Sequence, residues 1–280
     1  MDSSFRHQGS GLDANLRQEE ADPSTDDDRD TFSGIRRRQR PSQQKPASLG
    51  SVARAVIAEI AVACQRSAAR GRPEMFELSW LDDADRVHVT QTLGLGATSF
   101  RIKGHPVISA LSTRLPGLWF LEGAGVDRLE IAPLPTAVFE HAFTPTYAAL
   151  GMAVPRQAGD AEARAVVADL LRRSENYTPA GGAYVADLAQ LGLSTADVSL
   201  LEAGLGAGSV TLLSRGHGTC MVKSTAIDHV WRVQVLDQHS AVVFDAFEVT
   251  RFPSIGQPEV ARDTLMANAQ HLLWELEMPQ

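Results

Sequence analysis

The chain is poor in cysteine, in aromatic residues and in long apolar runs, and each shortage excludes something. Of its 280 residues two are cysteines, Cys64 and Cys220. Two distant thiols cannot make a disulfide framework, and there is no CxxC pair to hold a metal or carry a redox couple. A reducing, cytoplasmic setting is the expectation. No apolar stretch reaches the roughly 18 residues that would cross a bilayer. The first thirty positions lack the apolar segment of a secretory signal. Positive charge is also short: the formal net charge is -8. A nucleic-acid binder needs a clustered basic face, so no nucleic-acid partner is expected. Catalytic signatures are missing too, with no Ser nucleophile elbow, HExxH or Walker loop. Gly94-x-Gly96 and Gly206-x-Gly208 lack a third glycine and follow a predicted helix, the wrong order for a dinucleotide site.

Hydrophobic residues make up 44% of the chain, enough for a real core. They avoid the first 48 positions, where Asp26-Asp27-Asp28, the run Arg36-Arg37-Arg38-Gln39-Arg40 and many Ser, Gln and Pro predict a disordered polar tail. The arginine run is either a solvated stretch or a docking signal. From Ser51, Val56, Ile57, Ile60, Ala61 and Cys64 recur at helical spacing, which predicts an amphipathic helix over 50–70 with Cys64 on its apolar side.

The chain then repeats itself. At a constant offset of 112, Leu93, Gly94, Gly96, Ser112, Thr113 and Trp119 fall on Leu205, Gly206, Gly208, Ser224, Thr225 and Trp231. With six more residues inserted, Leu129-Glu130-Ile131 falls on Phe247-Glu248-Val249. Identities at a fixed offset mark a duplicated unit. Each unit reads as a short helix with an acidic start, a Leu-Gly stop and then strands. In the second copy the strands are placed at 209–214, at 220–227 joined with 231–236, and at 242–249. The expected fold is α+β, two tandem αβββ pseudo-repeats with flanking and connecting helices. The divisions are a tail over 1–48, a first half over 49–157 and a second over 158–280. Connecting and closing helices are predicted at 160–173 and 259–276.

Three chemistries can be drawn on the second copy. His217 and Cys220, three apart, with His229 beyond, could begin a metal site, although one thiol falls short of the three or four ligands such sites use. Ser224 with Asp228 and His229 could form a triad, which adjacency in sequence does not establish. Trp119 and Trp231, at equivalent places, are either core or anchors for a partner.

The run from Leu205 to Cys220, with Ser214-Arg215-Gly216-His217-Gly218-Thr219-Cys220, then Val230-Trp231-Arg232-Val233-Gln234 and Phe247-Glu248-Val249-Thr250 before Pro253, resembles the hydrogenase expression/formation family of HupH/HyaF type. The likeness covers about 73–255. Here His217 replaces the family's usual tyrosine, Ala97 and Ala207 replace a common glutamate, and Asp228-His229 replaces an asparagine-containing pair. The resemblance implies a non-catalytic chaperone or scaffold for nickel–iron uptake hydrogenase assembly, without a cofactor of its own. It would hold the iron–sulfur small subunit precursor before twin-arginine export, beside other maturation proteins and a thioredoxin-like chaperone. The partner surface is placed on Arg215, His217, Cys220, Trp231 and Glu248, with Trp119 of the first copy. The alternative is a carrier of a metal or cofactor intermediate on Cys220.

Overall fold

The computed structural model describes residues 50–157, 159–216, 218–256 and 260–278; the predicted polar tail and His217 lie outside them. Helix α1 (Ser51–Arg70) buries Val56, Ile57, Ile60, Ala61 and Cys64 along one stripe and ends at Gly71, whose φ of 64° supplies the left-handed C-terminal turn. The first half continues with β1 (Glu74–Glu77), α2 (Asp83–Leu93), β2 (Leu95–Ile102), β3 (Ile108–Thr113), β4 (Leu118–Gly123), β5 (Val126–Ile131) and the short α3 (Thr136–His141). The second half follows the same plan: α4 (Ala161–Glu175), β6 (Tyr184–Asp187), the single turn α5 (Leu188–Leu191), α6 (Thr195–Leu205), β7 (Val210–Arg215), β8 (Thr219–Ser224), β9 (Val230–Leu236) and β10 (Val242–Val249). Helix α7 (Arg262–Glu277) then packs against α1.

The ten strands among the described residues form one antiparallel sheet in the order β1-β5-β4-β3-β2-β7-β8-β9-β10-β6. Read from its centre, between β2 and β7, the order is the same in both directions. The architecture is α+β, as expected. The strand count differs: each unit has four strands after its helix, not three, and a further short strand before it, at the sheet edge. The expected strand joining 220–227 with 231–236 is two strands, divided at Thr225–His229. That turn carries no Gly or Pro to announce it, and His229 itself takes the left-handed conformation at φ 64°.

Each identity of the repeat performs the same task twice. Gly94 and Gly206 stop their helices at φ 62° and 64°. Ser112 Oγ accepts the Thr98 amide at 3.1 Å, and Ser224 Oγ accepts the Val210 amide at 3.0 Å. Thr113 and Thr225 each clasp the residue two places on, accepting its amide and donating to its carbonyl. A side chain on Gly96 or Gly208 would meet Ser112 Oγ at 2.2 Å or Ser224 Oγ at 2.4 Å, so only glycine lets the helix exit pass so close. The Trp119 indole donates to Ala132 O at 3.1 Å, and the Trp231 indole to Thr250 O at 3.2 Å. Because the pairs sit at backbone corners, they were legible as sequence identities while the surrounding core drifted.

Strand alternation gives the sheet two apolar faces. On one, α1, α2 and α7 cover Leu118, Phe120, Leu129 and Ile131, while α4, α5 and α6 cover Val230, Phe247 and Val249. On the other, a central cluster holds Phe100, Leu121, Leu212, Val222, Trp119 and Trp231 under α3 and Phe252. Cys64 is fully buried, and burial pushes its thiol up to about 12, as befits a structural cysteine.

Candidate functional site

The residues nominated from sequence divide between interior and surface. Trp119 and Trp231 are 1% and 0% exposed. Their rings belong to one aromatic chain, Trp119–Phe100–Phe252–Trp231, with centroids 5.4, 6.0 and 5.0 Å apart. The two tryptophans therefore have no surface to offer a partner; of the two readings, the core one describes them. Glu248 pairs with Trp231 across the strands and is buried, which raises its carboxyl above the usual range. Cys220 packs half-buried against the same cluster, and burial first, then the Glu248 charge, pushes its thiol up. A thiol held protonated is a poor metal ligand and a poor nucleophile. Arg215 is exposed at the end of β7. The nominated residues thus make no single surface.

The triad drawn on Ser224 also does not assemble. The Ser224 hydroxyl accepts from the Val210 amide and donates to the Val210 carbonyl, a backbone corner like that of Ser112. His229 stacks on Tyr177 at 4.0 Å and lies edge-on to Phe143 at 5.7 Å. Among the described residues, no group of three or more His, Cys, Asp or Glu converges to hold a metal. Among those residues no helix is long and apolar enough to cross a membrane.

What the fold does build is a cleft of about 780 Å³, within the range of ligand sites. The tails of equivalent strands β5 and β10 form it, Ala132–Thr136 on one side and Thr250–Phe252 on the other. Each tail is pinned at its first residue by the tryptophan indole bond described above. The segments leading into β1 and β6 close it with Pro73, Tyr177, Pro179 and Ala183. Phe252 is buried, while Phe139 beside it is 37% exposed, with the Arg251 guanidinium 4.7 Å over its ring. Glu140 lines the same cleft as Arg251. Apolar and proline-bounded, with one charge of each sign, such a cleft suits an extended segment: flat aromatic contact along it, and ionic anchors that fix its direction. A second hollow of about 540 Å³ shares Tyr177 and adds Ser174, Asp228 and His229.

The sequence held an unread signal for this cleft. The offset that places Leu129-Glu130-Ile131 on Phe247-Glu248-Val249 also places Leu134-Pro135-Thr136 on Phe252-Pro253-Ser254. The duplication therefore runs into the two tails. In the first copy Glu130 accepts from the Thr136 amide and hydroxyl and starts α3; in the second, Ser254–Gly256 makes a single tight turn.

Residues 161–276 match the family described as HupH hydrogenase expression protein, C-terminal conserved region. The chain is similar to the hydrogenase expression/formation protein HupH of Rhodobacter capsulatus, at 35% identity over 79% of this chain and 79% of that one. It is also similar to HupH of Rhizobium leguminosarum bv. viciae, at 30% identity over 70% and 71% of the two chains. A solved structure, the hydrogenase expression protein HupH from Thiobacillus denitrificans ATCC 25259, is 23% identical over 42% of this chain and 98% of that chain, with a TM-score of 0.37.

Proposed function

This chain belongs to the HupH hydrogenase expression/formation family, and we propose that it is an accessory protein of nickel–iron uptake hydrogenase maturation that binds an immature subunit rather than catalysing a reaction. The names of its relatives support the maturation role. The observation that carries the binding reading is the cleft between the β5 and β10 tails: preformed, apolar, and bounded by prolines that keep its walls stiff. The proposed client is the iron–sulfur small subunit precursor, held in the cytoplasm through an extended segment laid along Phe139, Phe252 and Tyr177 until twin-arginine export. Other maturation proteins, a thioredoxin-like chaperone among them, would meet the same client. The carrier reading on Cys220 has burial against it, since the thiol is held in its protonated form.

The test is affinity capture of the tagged full chain from hydrogenase-producing cells, with mass spectrometry of what is recovered. The expected result is the small subunit with its export signal uncleaved. Capture should be lost with Phe139→Ser/Arg251→Glu, whose side chains are exposed. Recovery of the large subunit alone, or undiminished capture by the cleft variant, would overturn the assignment of client or of site.

A further inference from the structure

The helix-bearing face of the sheet carries a second feature, remote in kind from the apolar cleft. One row of side chains crosses five strands in register: Ser109 on β3, Arg101 on β2, Thr211 on β7, Lys223 on β8 and Arg232 on β9. The apolar clusters under the two sets of helices draw chiefly on β1, β4 and β5 and on β6, β9 and β10. The middle of the row lies between them. At each end an arginine is closed by two carboxylates: Arg86 of α2 by Glu122 and Asp127, and Arg232 by Glu202 and Asp245. Arg101 and Lys223, in the middle, have no ion pair among the described residues. The Nε and Nη1 groups of Arg101 are buried with no hydrogen-bond partner among the described residues. A buried guanidinium donor without an acceptor costs stability.

The repeat supplies its own control. At the offset of 112, Arg101 corresponds to Leu213 and Lys223 corresponds to Leu111. Those two leucines flank Ser99 on the same face, one residue pair along the strands. The fold thus fills the equivalent positions with leucine in the other half, so it does not need charge there. The two cations are an addition to the fold, placed where the carboxylates at either end are already engaged.

We propose that this row is a docking surface for an extended acidic peptide segment of a partner protein, whose carboxylates take Arg101 and Lys223. Charge complementarity sets the chemistry: two unpaired cations, with the Ser109 and Thr211 hydroxyls beside them as further donors. Spacing sets the conformation. Arg101 and Lys223 are two strand spacings apart, about 9.6 Å, and residues three apart in a polyproline II chain lie on one face about 9.3 Å apart. The proposal goes beyond the cleft reading and does not depend on it.

The experiment is fluorescence anisotropy at low salt, using the full chain and a labelled proline-rich polyproline II peptide with two glutamates three residues apart, with its glutamine counterpart as control. The glutamate peptide should bind and the glutamine peptide should not. Arg101→Leu/Lys223→Leu should weaken binding about tenfold or more, as loss of charge-assisted contacts does. Arg101→Gln, which keeps a polar side chain, should weaken it as well. The double variant should melt at or above the wild-type temperature, because it installs what the other half of the fold already uses. Equal binding by wild type and double variant, or no binding by wild type, would overturn the proposal. So would a melting point several degrees lower, which would make the charges structural. Inorganic phosphate binding more tightly than the peptide, and displacing it, would make this a small-anion site and overturn the peptide assignment.

Discussion

Replacing Trp231 with alanine separates a core role from a contact role. The ring is 0% exposed, touches Phe143 and Phe252 edge-on at 5.1 and 5.0 Å, and donates its indole N–H to Thr250 O. Truncating a buried aromatic costs about 3–5 kcal/mol through lost transfer energy and the cavity left behind. The Thr250 carbonyl loses its donor as well, worth about 1 kcal/mol. A total of about 4–6 kcal/mol corresponds to a fall in melting temperature of roughly 10–20 °C for a folded region of this size. The assay is urea and thermal unfolding followed by far-ultraviolet circular dichroism, which does not depend on the removed fluorophore. Trp119→Ala should cost a similar amount, since Trp119 occupies the equivalent corner. Trp80 is 63% exposed, so Trp80→Ala should stay within about 0.5 kcal/mol. If Trp231→Ala destabilised the chain no more than Trp80→Ala, the burial argument would be refuted. A folded, equally stable Trp231→Ala that had lost its client would restore the anchor reading.

Other consequences follow from the same geometry. Gly208→Ala places a carbon 2.3 Å from Ala142 O and 2.4 Å from Thr225 O, both backbone, so it should cost about 3 kcal/mol or more; Gly216→Ala, with open space around it, should be near neutral on the same unfolding curves. The Glu248 carboxyl is raised by burial, so the folded state holds its proton more tightly than the unfolded chain does. Its contribution is therefore most favourable below the ordinary glutamate range and declines as pH rises from there through the raised folded value. Glu248→Gln should flatten that decline and raise the melting temperature at pH 7, and a variant with an unchanged pH profile would remove Glu248 as its source. At pH 8 an alkylating reagent should modify Cys220 slowly and Cys64 more slowly still, because both thiols are raised and Cys64 is fully buried. Mass spectrometry of the intact chain reads both rates, and faster labelling of Cys64 would contradict the packing of α1.

Local physics was readable in the chain. The α1 stripe, the Asp82 and Ser194 starts of α2 and α6, and the Gly94 and Gly206 stops depend on residues within one or two helical turns. The duplication was readable because Ser112, Thr113 and Trp119 fix backbone corners that their partners at 224, 225 and 231 must fix in the same way. The edge strands β1 and β6, four residues each, were not foreseen, because so short a strand shows no usable alternation and exists through its pairing with β5 and β10. Neighbours in a strand, Trp231 and Arg232 lie on opposite faces of β9, but that both faces are covered there, which buries the tryptophans, follows only from the packing. The cleft needed the tails of β5 and β10, more than a hundred residues apart in sequence, to be brought together. The row of Arg101 and Lys223 needed the register of β2, β7 and β8. Sequence by itself determined where the longer helices and strands lie and that the plan is used twice, because those preferences act over short distances. Which faces are hidden, and which charges are left without partners, was decided by the tertiary structure, because burial and pairing are properties of neighbours in space.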